Sequence, residues 1–185
     1  MTSQRFSAES WIGAVLPWIL LCAGLASASA VMPRGFMGIG LDDSETAIAT
    51  QFANSPGIVS RDRRVYRDGS VEQQFTLRDG AFVRVVFPGE NPDEVPKFLS
   101  FDGGAALSGP DAAKEIVRRF GRPTWEQHVD HGATVRRVWG GTGTPGAGVV
   151  PKPDAAEVVD FVASDGRSAT LTIARPSWFQ SGEKR

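Results

Sequence analysis

The chain has 185 residues, 20 basic against 21 acidic side chains, a net charge of −1 and one cysteine. Basic and acidic residues are interspersed, which excludes a nucleic-acid-binding or polybasic membrane surface as the main feature. With one cysteine there is no internal disulfide framework and no cysteine-ligated metal cluster, so stability must come from a hydrophobic core.

The first thirty residues read as an export signal. A short polar stretch holding Arg5 precedes the uncharged apolar run Trp11 to Leu25, and the small-residue tract Ala26 to Ala30 follows it, which is the order of a secretory signal peptide. Ala28-Ser29-Ala30 places the expected cleavage before Val31 and a periplasmic or secreted domain after it. The alternative is an inner-membrane anchor over residues 11–30, since the whole apolar stretch approaches the ~20 residues that a span needs. Cys22 is preceded by Leu21, whereas a lipoprotein box wants a small residue there. About 155 residues remain, enough for one domain or two small lobes.

Beyond Val31 the spacing predicts an α+β fold built from two helix-plus-antiparallel-strand units in tandem, over residues 31–103 and 104–185. Gly35, Gly38 and Gly40 form a turn leading into a first helix, Asp43 to Ala53, and their spacing is not that of a dinucleotide-binding loop. Asp42, Asp43 and Ser44 supply capping oxygens, Ile48 and Phe52 share one face, and Asn54 to Gly57 stops the helix. Strands follow over Ile58 to Arg67, Val71 to Leu77 and Ala81 to Pro88, joined by Asp68-Gly69 and Asp79-Gly80, with a further one over Lys97 to Phe101. The cluster Arg61-Asp62-Arg63-Arg64 reads as a solvated strand edge rather than a phosphate site.

A second helix is predicted over Pro110 to Phe120, capped by Ser108 and closed by Gly121 and Pro123, with Ala113, Ile116, Val117 and Phe120 as its apolar stripe. Strands then run over Thr124 to Val129, Ala133 to Trp139, Ala156 to Ala163 and Ser168 to Ala174, with turns at His131-Gly132 and Asp165-Gly166. Gly140 to Pro153, with five glycines and three prolines, reads as a loop or flexible strand connection and lacks a phosphate-binding signature. A spacing of 68 sets Phe52 on Phe120, Ile48 on Ile116 and Ala49 on Val117, which suggests an internal duplication. The competing arrangement is a single α+β domain whose two helices pack on one longer sheet.

Chemistry is sparse. The two histidines, His128 and His131, flank Asp130 in one turn, and these three are the only candidates for a metal-dependent hydrolase site. Their default role is as exposed turn residues, and no catalytic, cofactor or metal motif stands out. The acidic pairs Asp42-Asp43 and Asp93-Glu94 have local backbone reasons to be where they are. Trp125, Trp139 and Tyr66 lie on or beside predicted strands. On the solvent side of a sheet they would form a protein-binding face, since Trp and Tyr are enriched at interface hot spots.

The run Phe120-Gly121-Arg122-Pro123-Thr124, followed by a hairpin arriving at Arg137-Val138-Trp139, resembles the SmpA/OmlA family of small envelope lipoproteins, as does Gly38-Ile39-Gly40-Leu41 ahead of Asp43-Ser44-Glu45. Two such units in tandem resemble β-lactamase-inhibitor-like proteins. The resemblance covers most of residues 36–174 in element order but only about ten residues in identity, and the lipoprotein cysteine and the glycine-led start of the second unit are missing. It implies a non-enzymatic envelope protein, without cofactor, that binds another envelope or secreted protein across its sheet.

Overall fold

A computed structural model describes residues 35–108, 111–144, 148–164 and 169–180. The expected export signal, the cleavage position and the Asp165-Gly166 turn lie outside the described residues. None of the described helices is long and apolar enough to cross a membrane.

The fold is α+β. In chain order it has α1 (Glu45–Ala53), β1 (Ile58–Val65), β2 (Val71–Leu77), β3 (Phe82–Phe87), β4 (Phe98–Asp102), α2 (Ala112–Phe120), β5 (Trp125–Val129), β6 (Thr134–Trp139), β7 (Gly141–Gly143), β8 (Val149–Pro151), β9 (Val158–Ser164), β10 (Ala169–Ala174) and α3 (Pro176–Gln180). Eight strands form one antiparallel sheet in the order β1-β2-β3-β4-β10-β9-β6-β5. Counting inward from either edge, the order is β1, β2, β3, β4 on one side and β5, β6, β9, β10 on the other. The two sets meet where β4 pairs with β10, with Ser100 opposite Thr172.

Both main helices pack on one face of this sheet. Strand alternation puts Val71, Phe75, Val83, Val85, Leu99, Phe101, Leu171, Ile173, Val159 and Phe161 on that side, in one continuous core with Ile48 and Phe52 of α1 and Ile116 and Phe120 of α2. Phe52 stacks on Phe75 at 4.3 Å, and Phe120 lies 5.9 Å from Trp139. At the start of α1 the Ser44 hydroxyl accepts from the Ala47 N–H at 3.2 Å, and Asp43 instead accepts from the Gly40 N–H at 2.7 Å. The stop of α2 follows the glycine rule, since Gly121 sits at φ 76° and its N–H reaches Val117 O.

Two local expectations are corrected. Ser108 does not cap α2: its hydroxyl donates back to Gly104 O, closing the 3₁₀ turn Ala105–Leu107, and α2 starts four residues later. The Gly-rich stretch is not all loop, because β7 and β8 form a small antiparallel ribbon in which Thr142 faces Val150. The ribbon and α3 cover one margin of the sheet's second face. There Trp178 lies 4.5 Å from Phe98, and Trp125 and Phe179 pack on Val138, Val149 and Val158.

Candidate functional site: the open face of the sheet

The rest of the second face carries no layer of protein among the described residues. Seven strands place Thr76, Phe82, Asp102, Thr170, Val162, Arg136 and Gln127 side by side in one row, every one of them partly exposed. A second row runs through Gln74, Arg84, Ser100, Thr172 and Asp160. On β2, β3, β4 and β10 the other side is buried, so there the polar residues alternate with the core residues, as a half-solvated sheet requires.

The polar groups are held in place by one another. Asp102 accepts from the Thr170 hydroxyl at 2.6 Å and from the Ser100 hydroxyl at 3.2 Å. Arg136 and Asp160 form a two-pronged pair at 2.9 and 2.7 Å, and this raises the Arg136 pKa further above its ordinary value. Arg84 lies 4.8 Å over the Phe98 ring and 3.8 Å from Glu72. The result is an ordered, near-neutral surface whose two rows hold two apolar side chains, Phe82 and Val162. Its Thr170 and Ser100 hydroxyls stand beside the Asp102 carboxylate, while His128 stands opposite Val135 on the other face and His131 lies in the turn beyond.

The three aromatic residues expected to form a binding face do not share one. Trp139 is 1% exposed, and its indole N–H donates to Gly121 O at 3.0 Å inside the core. The reason is register: Trp125 faces Val138, so Trp139, one residue on, points to the opposite side. Trp125 lies on the second face but under the ribbon, where a Cβ on Gly143 would come within 2.5 Å of its ring. Tyr66 sits past the end of β1, at the far edge of the sheet.

The histidine turn also has local explanations. His131 takes the left-handed conformation, φ 57°, and His128 Nε2 is 2.8 Å from Glu126 Oε1. Among the described residues no three His, Cys, Asp or Glu side chains are grouped closely enough to hold a metal ion. Glu126 also accepts from Arg137 at 2.6 Å, and Arg137, then His128, hold its carboxyl below the usual range. A depressed carboxylate pKa stabilises the fold above the unfolded value of about 4.3, and that stabilisation is lost as pH falls through the folded value. The stability gap between the wild type and Glu126→Gln is therefore expected to be open at neutral pH and to close in acid. Chemical denaturation of both proteins at a series of pH values checks this; a gap independent of pH would contradict it.

Two grooves lie beside the helices. One, of about 490 Å³, is lined by Glu45, Thr46, Ala49, Thr50 and Ala53 of α1 with Arg61 and Arg63 of β1; the other, of about 370 Å³, by Ala113, Lys114, Val117 and Arg118 of α2 with Arg137. Four helix positions recur at the same spacing of 68: 45 with 113, 46 with 114, 49 with 117 and 50 with 118.

Comparison with described protein families, with characterised proteins and with solved structures returns no match.

Proposed function

We propose that this chain is an exported, non-enzymatic protein that binds another envelope or secreted protein across the open face of its sheet. The observation that carries the reading is the uncovered row from Thr76 to Gln127, ordered by its own hydrogen bonds and set on a rigid, fully packed core. Preordered side chains lose little entropy on binding, and a polar face with a few apolar side chains is the composition of a protein interface that must also be soluble alone. Export rests on the Trp11 to Ala30 pattern, and cleavage before Val31 is part of the proposal.

The tandem reading accompanies it. What supports a duplicated α+β unit is the strand order, which is the same from either edge, together with the grooves that recur at a spacing of 68. Gly38 and Gly104 both have positive φ, 81° and 74°, and each lies three residues before a buried leucine, Leu41 and Leu107, at a spacing of 66, two residues short of that of the helices. A likeness to SmpA/OmlA-type and β-lactamase-inhibitor-like proteins is proposed on this arrangement alone.

Thr172→Arg and Val162→Glu, both on the open face and away from the core, test the reading. Tagged protein recovered from the envelope of an expressing cell is expected to retain a discrete partner, and both variants to lose it while keeping the wild-type melting temperature. Intact mass of the same sample is expected to show a chain beginning at Val31. Retention of the same partner by both folded variants would eliminate this face.

A further inference from the structure

The geometry points to a second docking site, separate from the open face: the free edge of β1, which takes an extended acidic segment of another protein as an added strand. β1 is an outermost strand, eight residues long, and every residue from Val59 to Val65 is exposed. Its outward-facing N–H and C=O groups pair with no strand among the described residues, which makes such an edge a template for another chain.

The charge on this strand selects the occupant. The strand carries three arginines, Arg61, Arg63 and Arg64, and one aspartate, Asp62. Asp62 is engaged by Arg64 at 3.0 Å, and Arg63 reaches Glu45 at 3.0 Å. Arg61 is held over the Phe75 ring and by the Gln73 amide oxygen at 3.1 Å, with no carboxylate within ion-pair distance among the described residues. The strand therefore presents an excess of positive charge that a carboxylate-bearing segment would balance. Val59 and Val65, 65% and 47% exposed, bracket the tract and offer apolar contact at both of its ends.

A second copy of this chain is a poor occupant for the same reason. In a two-fold antiparallel pair, directly opposed residues must lie on the same face, which leaves only registers centred on a residue. Centring on Arg61, Arg63 or Arg64 sets that arginine against itself. Centring on Asp62 opposes two aspartates and sets Arg61 against Arg63. Like charges directly opposite one another are destabilising, so these four registers are disfavoured; the register centred on Ser60 opposes none, and a dimer formed through it is one of the outcomes that would overturn the proposal.

The test uses the whole chain and a short fluorescein-labelled peptide of alternating threonine and glutamate with valine at each end. Its lysine-for-glutamate counterpart serves as control. Binding of the acidic peptide is expected to weaken with salt, to slow amide exchange in residues 59–65 with the rest of the sheet unchanged, and to fall about tenfold in Arg64→Glu. Arg64 is exposed, pairs with Asp62 and stands opposite Glu72, so Arg64→Glu should melt lower than the wild type, whereas Arg64→Gln opposes no like charge and should weaken the peptide in the same direction at the wild-type melting temperature. Protection elsewhere in the chain, equal binding of the lysine peptide, equal affinity for a single-stranded oligonucleotide, or a dimer that protects 59–65 by itself would each overturn the proposal. Loss of this site leaves Thr172→Arg and its effect on the open face untouched, so the two readings fail separately.

Discussion

Trp139→Ala is expected to lower stability by about 3–5 kcal/mol, the range for removing a large aromatic side chain from a packed interior. The indole is 1% exposed, packs against Phe120 and donates to Gly121 O. Truncation opens a cavity between α2 and the sheet and also leaves that carbonyl without its donor. For a domain of this size the melting temperature should fall by roughly 10 °C or more. Trp139→Phe keeps most of the ring and loses the N–H, so its cost should be much smaller, nearer the ~1 kcal/mol of one hydrogen bond. Thermal melts of the two variants separate packing from hydrogen bonding. Partner retention, measured on whatever fraction of Trp139→Ala stays folded, should match the wild type, because this side chain never reaches the open face. A variant that melts normally but loses its partner would place Trp139 at the interface instead.

That contrast shows what the sequence could and could not tell. Local order was legible wherever local chemistry decides it: β2 spans the expected Val71–Leu77, Asp-Gly pairs sit in the β1–β2 and β2–β3 turns, and Gly121 closes α2. Ser108 misled because α2 begins at Ala112, four residues on, while the serine closes the preceding 3₁₀ turn by donating to Gly104 O. The pairing of β4 with β10 joins residues about 70 apart, and no local pattern specifies it. It is also what merges the two sets of four strands into one sheet with both helices on one side. The aromatic face failed on parity, since one step along a strand turns a side chain from surface to core. The better signal was alternation of another kind: Thr170 and Thr172 between Ala169, Leu171 and Ile173, and Asp160 and Val162 between Val159, Phe161 and Ala163. Thr170, Thr172 and Asp160 mark the open face by their polarity, and an emphasis on large aromatics passes over them.

Gly140→Val should be the most damaging single change outside the core. At this position the chain leaves β6 for the ribbon with φ 70°, a conformation that side chains with a Cβ rarely adopt, and a Cβ would fall 2.3 Å from Glu157 O. The left-handed backbone costs a β-branched residue about 1–3 kcal/mol, and forcing a fixed carbonyl aside adds about 1–3 kcal/mol more. The strain has one inexpensive way out, because the ribbon β7–β8 belongs to a separate small sheet and can lift while the eight strands stay paired. Lifting would uncover Trp125 and Val138, which the ribbon now shields. The variant should therefore lose stability, gain tryptophan accessibility to a collisional quencher and exchange its ribbon amides faster, with the amides of β3, β4 and β10 unaffected. Gly143→Ala probes the same contact from the other side: the nearest atoms to its Cβ would be those of the Trp125 ring, a side chain rather than backbone, and its φ is not left-handed, so its effect should be smaller. Should Gly140→Val instead slow exchange in the ribbon or leave quenching unchanged, the strain would be absorbed within the large sheet, and the ribbon would be a fixed part of the domain rather than a movable cover over one margin of its open face.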